Sequence, residues 1–297
     1  MEVRFIAHAG VAIEEKGFQL LIDPWFFDST PEHPVIESIG GGFKAIDFQI
    51  PKTSEKIENY APDVILVSHF HSHHSPMRDI RTLCENSTAK GKTVHLFSPE
   101  PSEEAERNLL ERVPSAVIRK GIRSDEPFTI GPFIIEAKGH TNPYHQSWFV
   151  KTKTGSLLHI GDGRLHNNRS IRTPDPVWLR LKGLRPSILL LSMGGNSLRI
   201  EKDGARQILE ASTLTPIEAA LITQLVGPKV VGGIGFYNHS MWKNRNEYIY
   251  PASQNEEVFE WAVSWLSPET KNVRLRPGYT FAIGTADLLR KKFDMYL

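Results

Sequence analysis

Cysteine is almost absent from this chain, with Cys84 the only one in 297 residues. A single thiol excludes an intramolecular disulfide and the thiolate-rich zinc sites, so any metal has to be held by histidine and carboxylate. Net charge is nearly absent as well: 35 Lys and Arg stand against 34 Asp and Glu, a formal charge of +1. No global field gathers nucleic acid or an anionic membrane. No apolar run approaches the roughly 20 residues that span a bilayer. The opening Met1-Glu-Val-Arg-Phe-Ile-Ala-His8 carries an acid and a base where a signal peptide needs an apolar core. These absences leave a self-folding globular chain, expected in the cytoplasm and acting on a small molecule rather than on nucleic acid or membrane. None of them bears on oligomeric state.

The sequence opens with β-rich runs at Val3–Ala7, Val11–Glu14 and Phe18–Ile22, separated by Gly10 and Lys16-Gly17. The pattern then breaks from Trp25 to about Pro62, a long irregular segment that includes Gly40-Gly-Gly42 and is expected to form a loop beside a site. Val64–Val67 predicts a buried strand, Arg78–Lys90 a helix, Thr93–Phe97 a strand and Ser102–Val113 a helix. Strands follow at Ala116–Arg119, Phe128–Ile130, Phe133–Ala137, Ser147–Lys151, Ser156–Ile160 and Ile188–Ser192. Helices are expected at Asp203–Ala211, Pro216–Leu225 and Glu256–Leu266, with strands at Lys229–Val231, Val273–Leu275 and Thr280–Ile283. Two strand-rich halves, each finished by helices and joined by no linker, predict one α/β domain over residues 1–297. Its expected architecture is a four-layer αββα sandwich of two mixed β-sheets with helices on the outer faces.

The chemistry concentrates in Ser68-His-Phe-His-Ser-His-His-Ser-Pro76, where His69, His71, His73 and His74 fall within six residues directly after an apolar strand. Alternate side chains of an extended segment share a face, so His69, His71 and His73 point one way and His74 another, which suits two adjacent metals. Crowded imidazoles without a metal must share protons or repel, whereas neutral imidazole is a good ligand for zinc or iron. A short cluster cannot enclose a metal, and the partners available elsewhere all follow apolar strands. His140 ends Phe133-Ile-Ile-Glu-Ala-Lys-Gly-His140, Asp162 ends Leu157-Leu-His-Ile-Gly-Asp162, and His239 follows the run that begins at Val230. Strand ends lie on one rim of a sheet, where groups distant in sequence converge.

These residues resemble the metallo-β-lactamase superfamily, whose signature is His-x-His-x-Asp-His after a strand, then a His, a Gly-Asp and a last His in that order. The matching segments are His69-Phe-His71-Ser-His73-His74, Gly139-His140, Gly161-Asp162 and His239. Phe5-Ile-Ala-His8-Ala-Gly-Val-Ala-Ile with Leu20-Leu-Ile-Asp23-Pro-Trp25 is similar to the L-ascorbate-6-phosphate lactonase-like branch. The resemblance implies a first metal on His69, His71 and His140, and Asp162 bridging to a second held by His74 and His239. It also implies a hydrolase that uses metal-activated water on an ester, lactone, amide or phosphoester. Zinc is the expected metal, with manganese or iron as alternatives. His73 stands where the family has Asp. It is expected in the site as a ligand, a proton shuttle or an orienting group, and with Asp162 it is a candidate for the catalytic step. The extra imidazole is also compatible with a di-iron oxidoreductase, and a non-catalytic binding protein on the same fold is the third alternative.

Around this core, His8 and Asp23 are expected to support the ligands from behind, because metal-bound His usually donates its other N–H to an acceptor. Trp25, His145, Arg164 and Tyr237 are the expected substrate contacts, Arg164 toward an anionic group. His33, His95 and His159 are expected to have no functional part, the last two because they sit within strands. A His73→Asp variant should alter metal content and turnover; if elemental analysis and rate are both unchanged, position 73 has no special role.

Overall fold

The computed structural model describes residues 1–26, 53–70, 74, 76–101, 104, 107, 111, 113, 117–121, 126–140, 144–163, 176–193, 198–202, 205–209, 214–235 and 252–283. The opening runs form an antiparallel meander, β1 (Glu2–Ala7), β2 (Gly10–Glu15) and β3 (Phe18–Ile22). Parallel strands β4 (Val64–Leu66), β5 (Val94–Ser98) and β6 (Val117–Gly121) continue from β3. With β16 (Thr280–Ala282) on the far edge, the first sheet has the order β16-β1-β2-β3-β4-β5-β6.

The second sheet begins with antiparallel β7 (Phe128–Ile130), β8 (Phe133–Gly139), β9 (Gln146–Lys151) and β10 (Ser156–Ile160). It continues in parallel through β11 (Ile188–Ser192), β14 (Val230–Ile234) and β15 (Lys271–Val273). Both sheets are therefore mixed.

Alternation along the strands sorts their side chains into layers. Leu20, Ile22, Val64 and Leu66 of the first sheet meet Leu157, Ile188, Leu190 and Val230 of the second in one central core. The intervening residues face outward. Leu21 and Ile65 pack on Ile80 and Leu83 of α1 (Met77–Ala89). Leu158, Leu189 and Leu191 pack on α2 (Pro176–Leu181), α3 (Pro216–Val226) and α4 (Ala252–Leu266) through residues such as Trp178, Ile222 and Phe259. The result is the expected αββα sandwich. Helix α3 starts at a capping box in which the Thr215 hydroxyl accepts from the Glu218 N–H and the Glu218 carboxylate from the Thr215 N–H. It stops at Gly227, at φ +67°.

Several expectations need correction. Residues 205–209, expected within a helix from Asp203 to Ala211, form β13 (Ala205–Leu209), paired antiparallel with β12 (Leu198–Lys202). The register Lys202↔Ala205 leaves Asp203-Gly204 as the connection, and Asp-Gly between two short runs is a strong hairpin signal that overrides helical spacing. The last strand of the second sheet is Lys271–Val273 rather than Val273–Leu275. Helix α2 and the 3₁₀ turn Ile57–Asn59 are too short for periodicity to reveal. Residues 104, 107 and 111 are helical as expected. Among the described residues, no helix is long and apolar enough to cross a membrane.

Leu190 is wholly buried between the sheets. Leu190→Ala should cost about 2–5 kcal/mol in urea unfolding, whereas Thr215→Ala, which removes only the cap of α3, should cost about 1 kcal/mol.

Candidate metal centre

The chain leaves β3, β4, β10 and β11 at one rim of the sandwich. Two backbone hydrogen bonds tie the sheets together there: the Gln146 N–H donates to the Ser68 carbonyl at 3.0 Å and the Gly235 N–H to the His8 carbonyl at 2.9 Å. His8 and Asp23 both have left-handed backbones, φ +54° and +44°. Non-glycine residues with positive φ cost energy and concentrate at functional sites.

Asp23 follows β3 and is completely buried. Its Oδ1 accepts the Ser68 N–H at 2.7 Å and its Oδ2 accepts the Ser68 hydroxyl at 2.6 Å. Oδ2 also faces Nδ1 of His74 at 2.8 Å. Because the one Ser68 hydroxyl proton goes to Asp23, its Oγ is left to accept from Nδ1 of His69 at 2.9 Å. Both imidazoles thus carry a proton on Nδ1, and their Nε2 atoms turn to a common point. Asp162, after β10, occupies the other side: its Oδ1 lies 3.3 Å from His74 Nε2 and its Oδ2 lies 3.6 Å from His69 Nε2. The Ser192 hydroxyl donates to Asp162 Oδ1 at 3.0 Å and fixes that carboxylate.

The donor atoms of His69, His74 and Asp162 lie within 4.8 Å of one another, and all three residues are buried. Adjacent ligands on tetrahedral zinc, at bond lengths near 2.05 Å, stand about 3.4 Å apart. The 3.3 and 3.6 Å separations are of that size and end on different oxygens of Asp162, Oδ1 toward His74 and Oδ2 toward His69, so the carboxylate offers one oxygen to each histidine's side. Full burial disfavours charge on His74, but Asp162 and Asp23 on its two sides more than offset this and push its pKa up to about 10. The field that favours a proton on His74 also favours a dication between these groups, and the donor set fits one.

Glycine at position 161 is a packing requirement: a Cβ there would lie 2.5 Å from the Ser68 hydroxyl and 2.8 Å from its Cβ. The Gly-Asp segment is therefore where the second sheet closes on Ser68 of the first.

Other expected residues gather at the same rim. His145 is half-buried and stacks on His69, with ring centroids 4.4 Å apart and 14° between planes, and its Nδ1 lies 3.1 Å from the Asp162 carbonyl. His8 packs edge-on against His74 at 5.2 Å, and the buried Trp25 packs edge-on against His8 at 6.1 Å. His140 has Nε2 at 2.8 Å from the Ser147 hydroxyl and its ring edge-on to Trp178. While that hydrogen bond is kept, Nδ1 is the nitrogen that His140 has to offer a metal. His95 and His159 lie within β5 and β10, and burial holds His159 below its ordinary pKa while its Nε2 donates to the Ala9 carbonyl. His33, His71, His73, Arg164, Tyr237 and His239 lie outside the described residues.

Sequence reasoning missed the hydroxyls. Ser68, Ser147 and Ser192 each contact an expected site residue; for Ser68 and Ser192 the available signal was a serine following or ending an apolar strand, as in Ile188-Leu-Leu-Leu-Ser192, whereas Ser147, at the start of β9, carried none. Removing the Asp23 charge should show how much orientation is worth. Asp23→Asn should lower metal affinity about 10–100-fold with the fold kept, read by competition with a chromogenic chelator and by circular dichroism.

Residues 2–176, more than half of the chain, match the family described as Beta-lactamase superfamily domain. A UPF0173 metal-dependent hydrolase from Methanobrevibacter smithii is 23% identical over 285 residues, 95% of this chain and 96% of that protein. Among solved structures, the metallo-beta-lactamase fold protein YhfI from Bacillus subtilis superposes with a TM-score of 0.59 at 14% identity, covering 94% of this chain and 98% of its own. CmlA, a diiron beta-hydroxylase from Streptomyces venezuelae, gives 0.62 at 13% identity over 94% of this chain and 53% of CmlA. At these identities the structures show the fold alone, and with the family match they establish that this chain belongs to the β-lactamase superfamily and has the metallo-β-lactamase fold.

Proposed function

We propose that this protein is a metal-dependent hydrolase acting on an ester, lactone, amide or phosphoester bond of a small molecule. The observation that carries the proposal is the buried grouping of His69 Nε2, His74 Nε2 and the Asp162 carboxylate within 4.8 Å, with Nδ1 of His69 held at Ser68 and Nδ1 of His74 at Asp23. The metal-dependent hydrolase from M. smithii, matched over nearly its whole length, supports the same reaction class. Similarity of the opening segment to the lactonase-like branch favours a lactone.

A bound dication, zinc before manganese or iron, supplies a water whose pKa falls from 15.7 toward about 7 and a Lewis acid for the scissile group. His69, with His71 and His140, would hold it, and Asp162 would be shared with a second ion held by His74 and His239. Asp23 and Ser68 keep the two Nδ1 protons in place. Asp162, held by Ser192, orients the attacking water. His145 lies over the His69 ring with Nδ1 beside the Asp162 carbonyl, which places its imidazole among the substrate contacts. His73 brings an imidazole in place of the family carboxylate, which makes the second site less negative.

Chelator treatment should abolish turnover of an ester, lactone and phosphodiester panel, and zinc should restore it. Asp162→Asn should lower kcat/KM more than about 100-fold and lower the bound metal measured by mass spectrometry, since it removes a ligand rather than a supporting group. Turnover that survives both treatments would exclude the proposal. His73 is the observation that keeps a di-iron oxidoreductase in view, and firmly bound iron with oxygen-dependent turnover would establish that chemistry instead.

A further inference from the structure

Eight large apolar side chains are exposed among the described residues, and five of them lie on the helices that cover the second sheet: Leu179 on α2, Ile217 and Leu221 on α3, and Trp261 and Trp265 on α4. Helix α3 packs against both neighbours, so the five share one outer layer. The faces are distinct from those in the core. On α4, Phe259, Ala262 and Val263 are buried against the sheet, while Trp261 and Trp265 remain 60% and 73% exposed with ring centroids 6.3 Å apart. On α3, Ala219, Ala220 and Ile222 are buried, while Ile217 and Leu221, one turn apart, face out. Isolated exposed apolar residues are ordinary, but a cluster of this size marks an interaction surface.

We infer that this face joins two copies of the chain in a symmetric dimer. Area is the first reason. With about 250 Å² for a whole tryptophan side chain, the two indoles alone leave roughly 300 Å² in water. Leu179, Ile217 and Leu221 extend this toward the apolar centre of a standard interface, which buries about 800 Å² per partner. Self-complementarity is the second reason. A two-fold axis crossing α4 between positions 261 and 265 lays two copies of the helix antiparallel, so that each Trp261 meets the other copy's Trp265 and one surface serves both sides. Tryptophan is also the residue most enriched where interface energy concentrates. Charge is the third: beside the indoles, Glu260 is already paired with Arg274 at 2.7 Å, so that carboxylate does not repel an approaching copy. The metal-site residues are at the strand-end rim, and the inference does not depend on them.

Sedimentation velocity of the full chain across micromolar concentrations tests it. The wild type should sediment as a dimer, and Trp265→Lys should weaken association at least about 30-fold with an unchanged circular dichroism spectrum. Leu179→Lys, on a different helix, should weaken it as well, so one misfolded variant would not decide the matter. Ser264 is exposed on the flank of the same face. Ser264→Cys should be joined to its copy by a flexible bismaleimide long enough to reach across two helices packed about 10 Å apart, the native Cys84 being buried. A wild type that stays monomeric overturns the inference even if the face captures a different protein, and so does a dimer that persists in both lysine variants. A dimer that dissociates in the lysine variants but does not cross-link in the Ser264→Cys variant overturns the antiparallel arrangement.

Discussion

The carboxylate of Asp23 organises the site. One buried side chain accepts the backbone N–H and the hydroxyl of Ser68 and faces Nδ1 of His74. Ser68 passes the constraint to His69. A charge removed from water is expensive unless its hydrogen bonds are made, and here making them sets the protonation of two imidazoles. The left-handed backbone of Asp23 is part of the same arrangement. Its φ of +44° is costly for a residue with a side chain, and its N–H donation to the Leu66 carbonyl helps hold it there.

From that carboxylate the contacts run outward in two directions. Through the first sheet, the parallel pairing of β3 with β4 sets Asp23 beside Ser68, and the leucine, isoleucine and valine of these strands keep the pair dry. Across the sandwich, Gly161 lets the second sheet approach closely enough for Asp162 to face the histidines. Low dielectric strengthens every interaction among these groups, which is why His74 between two carboxylates departs so far from its usual pKa. The same surroundings make a cation the natural counterpart of the cluster.

Much of this was legible in the sequence, for physical reasons that differ by residue. Strands such as Ile188–Ser192 announce themselves because burial on both faces demands an unbroken apolar run. The histidine cluster is legible because few other circumstances justify so many imidazoles together. Asp23 was read only as support for the ligands, since one Asp before Pro24 gives no hint that it reaches two histidines, one of them through the distant Ser68. The serines themselves were silent, because a hydroxyl gains meaning only from what lies opposite, and the partners come from other strands. The hairpin Leu198–Lys202/Ala205–Leu209 was misread because helical spacing was weighed above the Asp-Gly connection.

The three converging donors come from different halves of the molecule. His69 and His74 follow the first sheet, Asp162 follows the second, and the apolar layer between the sheets holds them opposite each other. Neither half alone possesses the centre. The binding site is thus a property of the closed sandwich: an ion seated there would act as a rivet across its open edge, so that ligand chemistry and the cohesion of the two sheets are the same event seen from two sides.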